Sequence, residues 1–258
     1  LTEAMGTKFA LVGDIHGNFE VLAEALDAAR GRWGAFEFVL AAGDVEPNRG
    51  HDDHLGVVGP SRYRKVGDFP RVAAGEIVLG APLYFIAGNH DPYPALDRAG
   101  AGEWAPGVWW LGRWGITTIH KVNVGFLSGI YSPKYSDTPE PERNNAKQRT
   151  YWHRSELEQL TRTARRYHGG VDVLVTHDWP SDVGTNKAGI PVGDPYLRQL
   201  ALNLRPKVHA CGHMHYDQQV RIGPTQVVCL AKPRNTPDRL HGVAVAERDR
   251  RGNLRILA

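Results

Sequence analysis

The residues able to do chemistry in this chain stand at the ends of apolar runs. The run at 9–13 leads into Asp14, Ile15 and His16, after which Gly17 and Asn18 open a helical pattern. Side chains two apart on an extended segment face the same side, so Asp14 and His16 can reach one cation. The run at 36–42 stops at Gly43 and Asp44, and the run at 82–87 stops at Gly88, Asn89, His90 and Asp91. Later runs at 171–176 and 207–212 stop at His177 and at His213, Met214 and His215. Any one of these residues alone reads as a turn former or a cap. Together they place oxygen and imidazole donors at strand carboxyl ends, where open α/β sheets hold ligands. Mixed imidazole and carboxylate donors suit Zn, Fe or Mn, whereas all-oxygen sets suit Mg or Ca. Asp44 has two carboxylate oxygens and can bridge two cations, with the other donors divided around it.

These donors need strands to carry them and helices to cover the strands. After Asn18, a possible helix cap, Leu22, Ala25, Leu26 and Ala29 recur at helical spacing as far as Gly31. The polar, proline-bearing stretch 46–70 reads as an excursion over the active face, with a helix near 62–76. Short runs at 109–111, 116–120 and 122–128 suggest antiparallel pairing, and the proline-rich stretch 131–142 reads as loop. Helices are expected over 145–167 and 196–204, and runs at 225–231, 242–247 and 254–257 look like a closing β-meander. Strands alternating with helices first, and consecutive strands later, predict an α/β fold of two packed mixed β-sheets flanked by helices.

With 258 residues the expectation is a single domain, 1–258. No apolar segment reaches the roughly 20 residues of a membrane span, so no membrane partner and a cytoplasmic setting are expected. Cys211 and Cys229 lie in apolar strand-like runs and read as small hydrophobes, not as a disulfide. A formal net charge of +3 tilts the chain toward anionic partners without a dense basic block. Arg162, Arg165 and Arg166 therefore read as a solvated helix face, and so do Arg62, Tyr63, Arg64 and Lys65. Trp104, Trp109, Trp110 and Trp114 could stack bases but read first as packing. His51, His54, His120, His153, His168, His209 and His241 lack the strand-end context and read as structural or surface residues.

The blocks Gly13-Asp14-Ile15-His16, Gly43-Asp44, Gly88-Asn89-His90-Asp91, Thr176-His177 and Gly212-His213-Met214-His215 stand in the order of the calcineurin-like metallophosphoesterase superfamily, which the chain resembles. That resemblance implies a four-layer sandwich and two divalent transition metal ions (Mn, Fe or Zn). One would be held by Asp14, His16, Asp44 and His215, the other by Asp44, Asn89, His177 and His213. His90 would be the proton donor or phosphate contact, with Asp91 orienting it. A narrower set, including Tyr63-Arg64-Lys65, Glu103-Trp104-Ala105-Pro106, Leu127-Ser128-Gly129-Ile130-Tyr131 and Thr176-His177-Asp178-Trp179-Pro180, is similar to RNA lariat debranching enzymes. Those enzymes cleave the 2',5'-phosphodiester of a branch point, and residues 132–151 occupy the place of their substrate-recognition loop.

Two departures stand out. Many debranching enzymes carry Cys where this chain has Asp14, and the superfamily's further Asp-Arg pair is Asn48-Arg49 here. The resemblance implies hydrolysis of a nucleic-acid or nucleotide phosphodiester, in RNA, DNA or a nucleotide, by a metal-bridging hydroxide, whose pKa falls from 15.7 toward roughly 7. A phosphomonoesterase remains an alternative, and so does a metal-containing binding protein without catalysis. No protein partner is inferable.

Overall fold

The computed structural model describes residues 6–59, 65–138, 142–186, 188–237 and 239–257. Its centre is a pair of stacked sheets. The seven-stranded sheet runs Leu254–Ile256, Val243–Arg248, Thr7–Val12, Phe38–Ala41, Leu83–Phe85, Val108–Trp110, Gly102–Ala105 from edge to edge. The six-stranded sheet runs Gln218–Ile222, Thr225–Cys229, Val208–Cys211, Val173–Thr176, Val122–Leu127, Trp114–Ile119. Inner strands of both sheets pair in parallel, and antiparallel strands close the edges. Phe38–Ala41, Val173–Thr176 and Val208–Cys211 are buried at every residue, which is why they read as largely apolar runs.

Alternation along the strands separates two kinds of core. Phe9, Leu11, Phe38 and Leu40 meet Val124, Phe126, Val173, Val175, Val208 and Ala210 between the sheets. On the far side of the first sheet, Ala10, Val12, Val39 and Ala41 pack against Phe19, Leu22, Ala25, Leu26 and Ala29 of the helix Phe19–Trp33. On the far side of the second, Leu127 and Leu174 meet Leu160, Leu197 and Leu200 of the helices Arg154–Arg166 and Pro195–Leu204. Helix, sheet, sheet and helix make the four layers expected.

Several local expectations are corrected. Asn18 makes no side-chain cap. Asp68 takes that place, accepting from Phe19 N–H at 2.6 Å and Glu20 N–H at 3.0 Å. The first helix runs past Gly31 to Trp33. The helix expected near 62–76 shortens to Phe69–Ala73, and residues 60–64 lie outside the described residues. The stretch 131–142 holds a short helix, Pro133–Ser136, begun by a proline whose missing N–H costs nothing in a first turn. The helix expected over 145–167 is two, Ala146–Arg149 and Arg154–Arg166. Between them the buried Trp152 donates its backbone N–H to Ile130, and Glu156 restarts the helix by accepting from His153 N–H at 2.8 Å.

The closing strands form no single meander. Thr225–Cys229 joins the second sheet, while Val243–Arg248 and Leu254–Ile256 join the first. The crossover between them touches the end of the first strand, where Gly13 N–H donates to Gly242 O at 3.0 Å. The run expected at 109–111 pairs in parallel with Leu83–Phe85 before its antiparallel partner Gly102–Ala105. Trp104 and Trp110 pack as expected, both buried, and Trp104 Nε1–H donates to Pro47 O. No helix among the described residues is long and apolar enough to cross a membrane.

Candidate metal centre

Both sheets point the carboxyl ends of their parallel strands at one spot. Thr7–Val12 delivers Asp14 and His16, Phe38–Ala41 delivers Asp44, and Leu83–Phe85 delivers Asn89 and His90. From the facing sheet, Val173–Thr176 delivers His177, and Val208–Cys211 delivers His213 and His215. Two donor groups result. Asp14, His16 and His215 offer atoms within 4.8 Å of one another, and so do Asp44, His177 and His213.

Asp44 joins the groups. Its Oδ2 lies 3.8 Å from His16 Nε2 and 3.3 Å from His177 Nε2. Asn89 belongs to the second group, with Oδ1 at 3.3 Å from His177 Nε2. In the first group, His215 Nε2 lies 3.2 Å from His16 Nε2 and 3.8 Å from Asp14 Oδ1.

The imidazoles are held by their outer nitrogens. His177 Nδ1–H donates to Ala42 O at 2.8 Å, and His16 Nδ1–H donates to Glu46 Oε1 at 2.7 Å. Each bond occupies Nδ1 and turns Nε2 toward the carboxylates, the usual arrangement behind a metal-binding histidine. His213 N–H donates to both Asp14 oxygens, at 3.0 and 3.1 Å, and His90 N–H donates to Asp44 Oδ1 at 2.7 Å. Neither amide uses up the oxygens' remaining lone pairs.

The backbone bends sharply to achieve this. Among the described residues, five of the nine non-glycine residues with positive φ are His16, Asp44, Glu46, His213 and His215. Such conformations cost energy and concentrate where function demands them. Three glycines make room: a Cβ on Gly43 would sit 2.5 Å from His177 Nδ1, on Gly88 2.4 Å from Asp44 Oδ1, and on Gly212 2.8 Å from Asp14 Oδ2.

Electrostatics point the same way. Asp14 and Asp44 are buried, and burial pushes the Asp14 carboxyl up to about 6 against the pull of His177. Burial works against the His177 charge too, yet the Asp44 and Asp14 carboxylates hold that imidazole up at about 10. Two buried carboxylates thus call for positive charge in their midst, and the donor set of imidazole, carboxylate and amide oxygen fits divalent transition cations.

His90 stands beside the donors. Its ring lies 5.4 Å from that of His16, and Nδ1–H donates to Val58 O at 2.8 Å. Asp91, expected to orient it, makes no hydrogen bond to His90. The buried Asp91 accepts from Glu46 N–H and Gly88 N–H, both at 2.7 Å, bracing two ligand-bearing loops. Burial, with the Asp44 charge, pushes its carboxyl up to about 7.

Two acids escaped the sequence reading. Glu46 holds His16, and its position two residues after Asp44 was the available signal. Asp178 follows His177 directly, sits 3.7 Å from His213 Nε2 and accepts from Tyr131 N–H at 2.9 Å. The other histidines stay outside the centre as expected. His209 is buried, with Nε2 bonded to Thr176 Oγ1 at 2.7 Å, although its Nδ1 has no partner.

A family model for calcineurin-like phosphoesterases matches residues 7–217, which include every donor described above. The chain belongs to the calcineurin-like phosphoesterase family. Its relatives include a lariat debranching enzyme of Entamoeba histolytica, 25% identical over 242 residues, covering 86% of this chain and 68% of that protein. The lariat debranching enzyme of Homo sapiens is 25% identical over 229 residues, covering 81% of this chain and 42% of that protein. The chain spans between 42% and 68% of the length of four such lariat debranching relatives. Among solved structures, a dimetal phosphatase from Danio rerio has the same fold, with TM-score 0.57 and 14% identity over 94% of this chain and 93% of that one. A protein of Thermus thermophilus gives TM-score 0.59 and 14% identity over 97% of this chain and 98% of that one. Where the family often has Asp-Arg, Asn48 is buried, and Arg49 pairs with Asp53 at 2.7 Å while lying 3.7 Å above the Trp104 ring.

Proposed function

We propose that the chain is a two-metal phosphodiesterase acting on a nucleic acid or nucleotide, with a 2',5'-phosphodiester as its favoured substrate. The observation that carries this reading is Asp44 Oδ2 set between His16 and His177, one carboxylate oxygen serving both donor groups. Asp14, His16, Asp44 and His215 would hold one divalent cation, and Asp44, Asn89, His177 and His213 the other, with Mn, Fe or Zn suited to these donors. When bound, the two cations supply Lewis acidity that activates water and offsets charge on the phosphoryl oxygens.

The chain's own residues do the rest. Glu46 and the Ala42 carbonyl keep Nε2 of His16 and of His177 directed inward. Val58 O holds one proton of His90 on Nδ1, so the proton given to the departing oxygen would come from Nε2 of the doubly protonated ring, which is left neutral with Nδ1–H still bonded to Val58 O. Asp91 supports the reaction only by holding the Glu46 and Gly88 backbone. The lariat-debranching relatives support a diester of RNA as substrate.

Hydrolysis of bis-p-nitrophenyl phosphate over p-nitrophenyl phosphate by Mn-loaded protein, together with release of the branch from a 2',5'-linked RNA, is the expected result. Preference for the monoester would sink the diesterase reading. Cleavage of ordinary diesters with branched RNA left intact would remove the 2',5' assignment alone.

A further inference from the structure

The loop that leaves the strand Thr225–Cys229 closes one side of the centre. That strand pairs in parallel with Val208–Cys211, Cys229 opposite Cys211, so both chains emerge toward the donors at the same level. Leu230 N–H donates to Cys211 O at 2.8 Å, tying the emerging loop to the segment that carries His213 and His215. On its other side the loop abuts the segment carrying Asp14 and His16: a Cβ on Gly13 would sit 2.1 Å from Ala231 O. Asp217 Oδ1 accepts from both Ala231 N–H and Gly242 N–H at 2.9 Å, pinning the loop's backbone. Lys232 is the next residue, exposed, on a rim fixed between the two ligand-bearing segments.

Among the described residues the Lys232 ammonium enters no ion pair, unlike Arg239 on the same loop, 3.7 Å from Asp217. A lysine on a pinned backbone beside the donor group, with its three N–H donors facing solvent, is placed for an incoming anion. His90 stands beside the same centre, close to His16.

We propose that Lys232 is a substrate-contact residue whose ammonium binds an anionic oxygen of the scissile phosphoester beside Asp14, His16 and His215. This rests on the phosphoesterase reading of the centre. Lysine acts here as a point charge on phosphate, adding binding without entering proton transfer.

The test is calorimetric titration of Mn-loaded protein with inorganic phosphate, parent against Lys232→Met and Lys232→Arg, with Mn content measured in each. In Lys232→Met the phosphate dissociation constant should rise about tenfold or more at unchanged Mn content, and Lys232→Arg should recover most of the loss. With bis-p-nitrophenyl phosphate the same variant should raise KM by a similar factor and leave kcat within about threefold. Unchanged phosphate affinity overturns the proposal, as does a loss that tracks lost Mn, a defect confined to oligonucleotides, or a Mn-loaded parent that takes up no phosphate. Because phosphate binding needs no turnover, a parent that binds phosphate but cleaves no diester would refute the phosphodiesterase reading and leave the role of Lys232 standing.

Discussion

Glu46 Oε1 lies 2.7 Å from His16 Nδ1, and this bond turns the opposite nitrogen of the ring toward Asp44. Partners of this kind behind a metal-binding histidine typically account for 10- to 100-fold in affinity. Glu46→Ala should therefore weaken Mn binding by roughly that factor, read by competition against a chelator dye. Glu46→Gln, which keeps an acceptor oxygen, should fall between the two. Equal affinities in all three proteins would show that the ring needs no such support.

His90→Ala should lower kcat by about 10²- to 10⁴-fold with alkoxide leaving groups and leave metal content unchanged. The loss should shrink with p-nitrophenolate, which departs without a proton. A uniform loss across leaving groups would point to phosphate contact in place of proton transfer.

Gly88→Ala should be far worse than its size suggests. The new methyl would lie 2.4 Å from Asp44 Oδ1 and 2.6 Å from both Asp44 N and His177 Nε2, none of them a flexible chain end. A stability loss of about 1–3 kcal/mol, with weakened metal binding, is the expected outcome in thermal unfolding. Gly31→Ala is the control, since nothing lies within 4 Å of that added carbon, and it should be neutral or slightly stabilising.

Burial holds the His209 imidazole down at about 3, whereas an unfolded histidine titrates near 6.5. Between those values the unfolded chain binds the extra proton, so stability rises with pH. The His209 contribution is complete above about pH 6.5 and is lost as pH falls toward about 3, at up to roughly 1.4 kcal/mol per pH unit. Melting temperature followed over that range should fall less steeply in His209→Gln than in the parent. Parallel curves would mean that His209 stays charged in the native protein.

Asp68→Ala should remove the cap of the first helix and cost about 0.5–2 kcal/mol. Asn18→Ala, whose side chain reaches the Ile15 and His16 carbonyls and not the helix N–H groups, should leave that cap in place. Chemical denaturation of both variants checks the assignment.

The donor residues were legible because they follow largely apolar runs, the look of strands buried on both faces. Asp14, Asp44, His177 and His213 follow such runs directly or after one glycine. The broken helix was not legible: residues 145–167 carry no proline or glycine, and the break is imposed by Ile130 pairing across to Thr150 and Trp152. Asp68 was hidden for a similar reason, since it caps a helix that begins 49 residues earlier. Glu46 reads as an ordinary loop charge until the fold sets it beside His16. Side chains positioned by distant partners leave little trace in local spacing.

The split of the donors between sheets has a mechanical consequence. Each group draws from both layers: Asp14 and His16 from one with His215 from the other, then Asp44 and Asn89 from one with His177 and His213 from the other. Every cation seated there would act as a rivet through the sandwich, fastening the two layers at their functional end. Stripping the ions with a chelator would then free that end to splay while the interleaved Phe9, Phe38 and Phe126 still clamp the layers behind it. Catalytic competence and the spacing between the layers become one property.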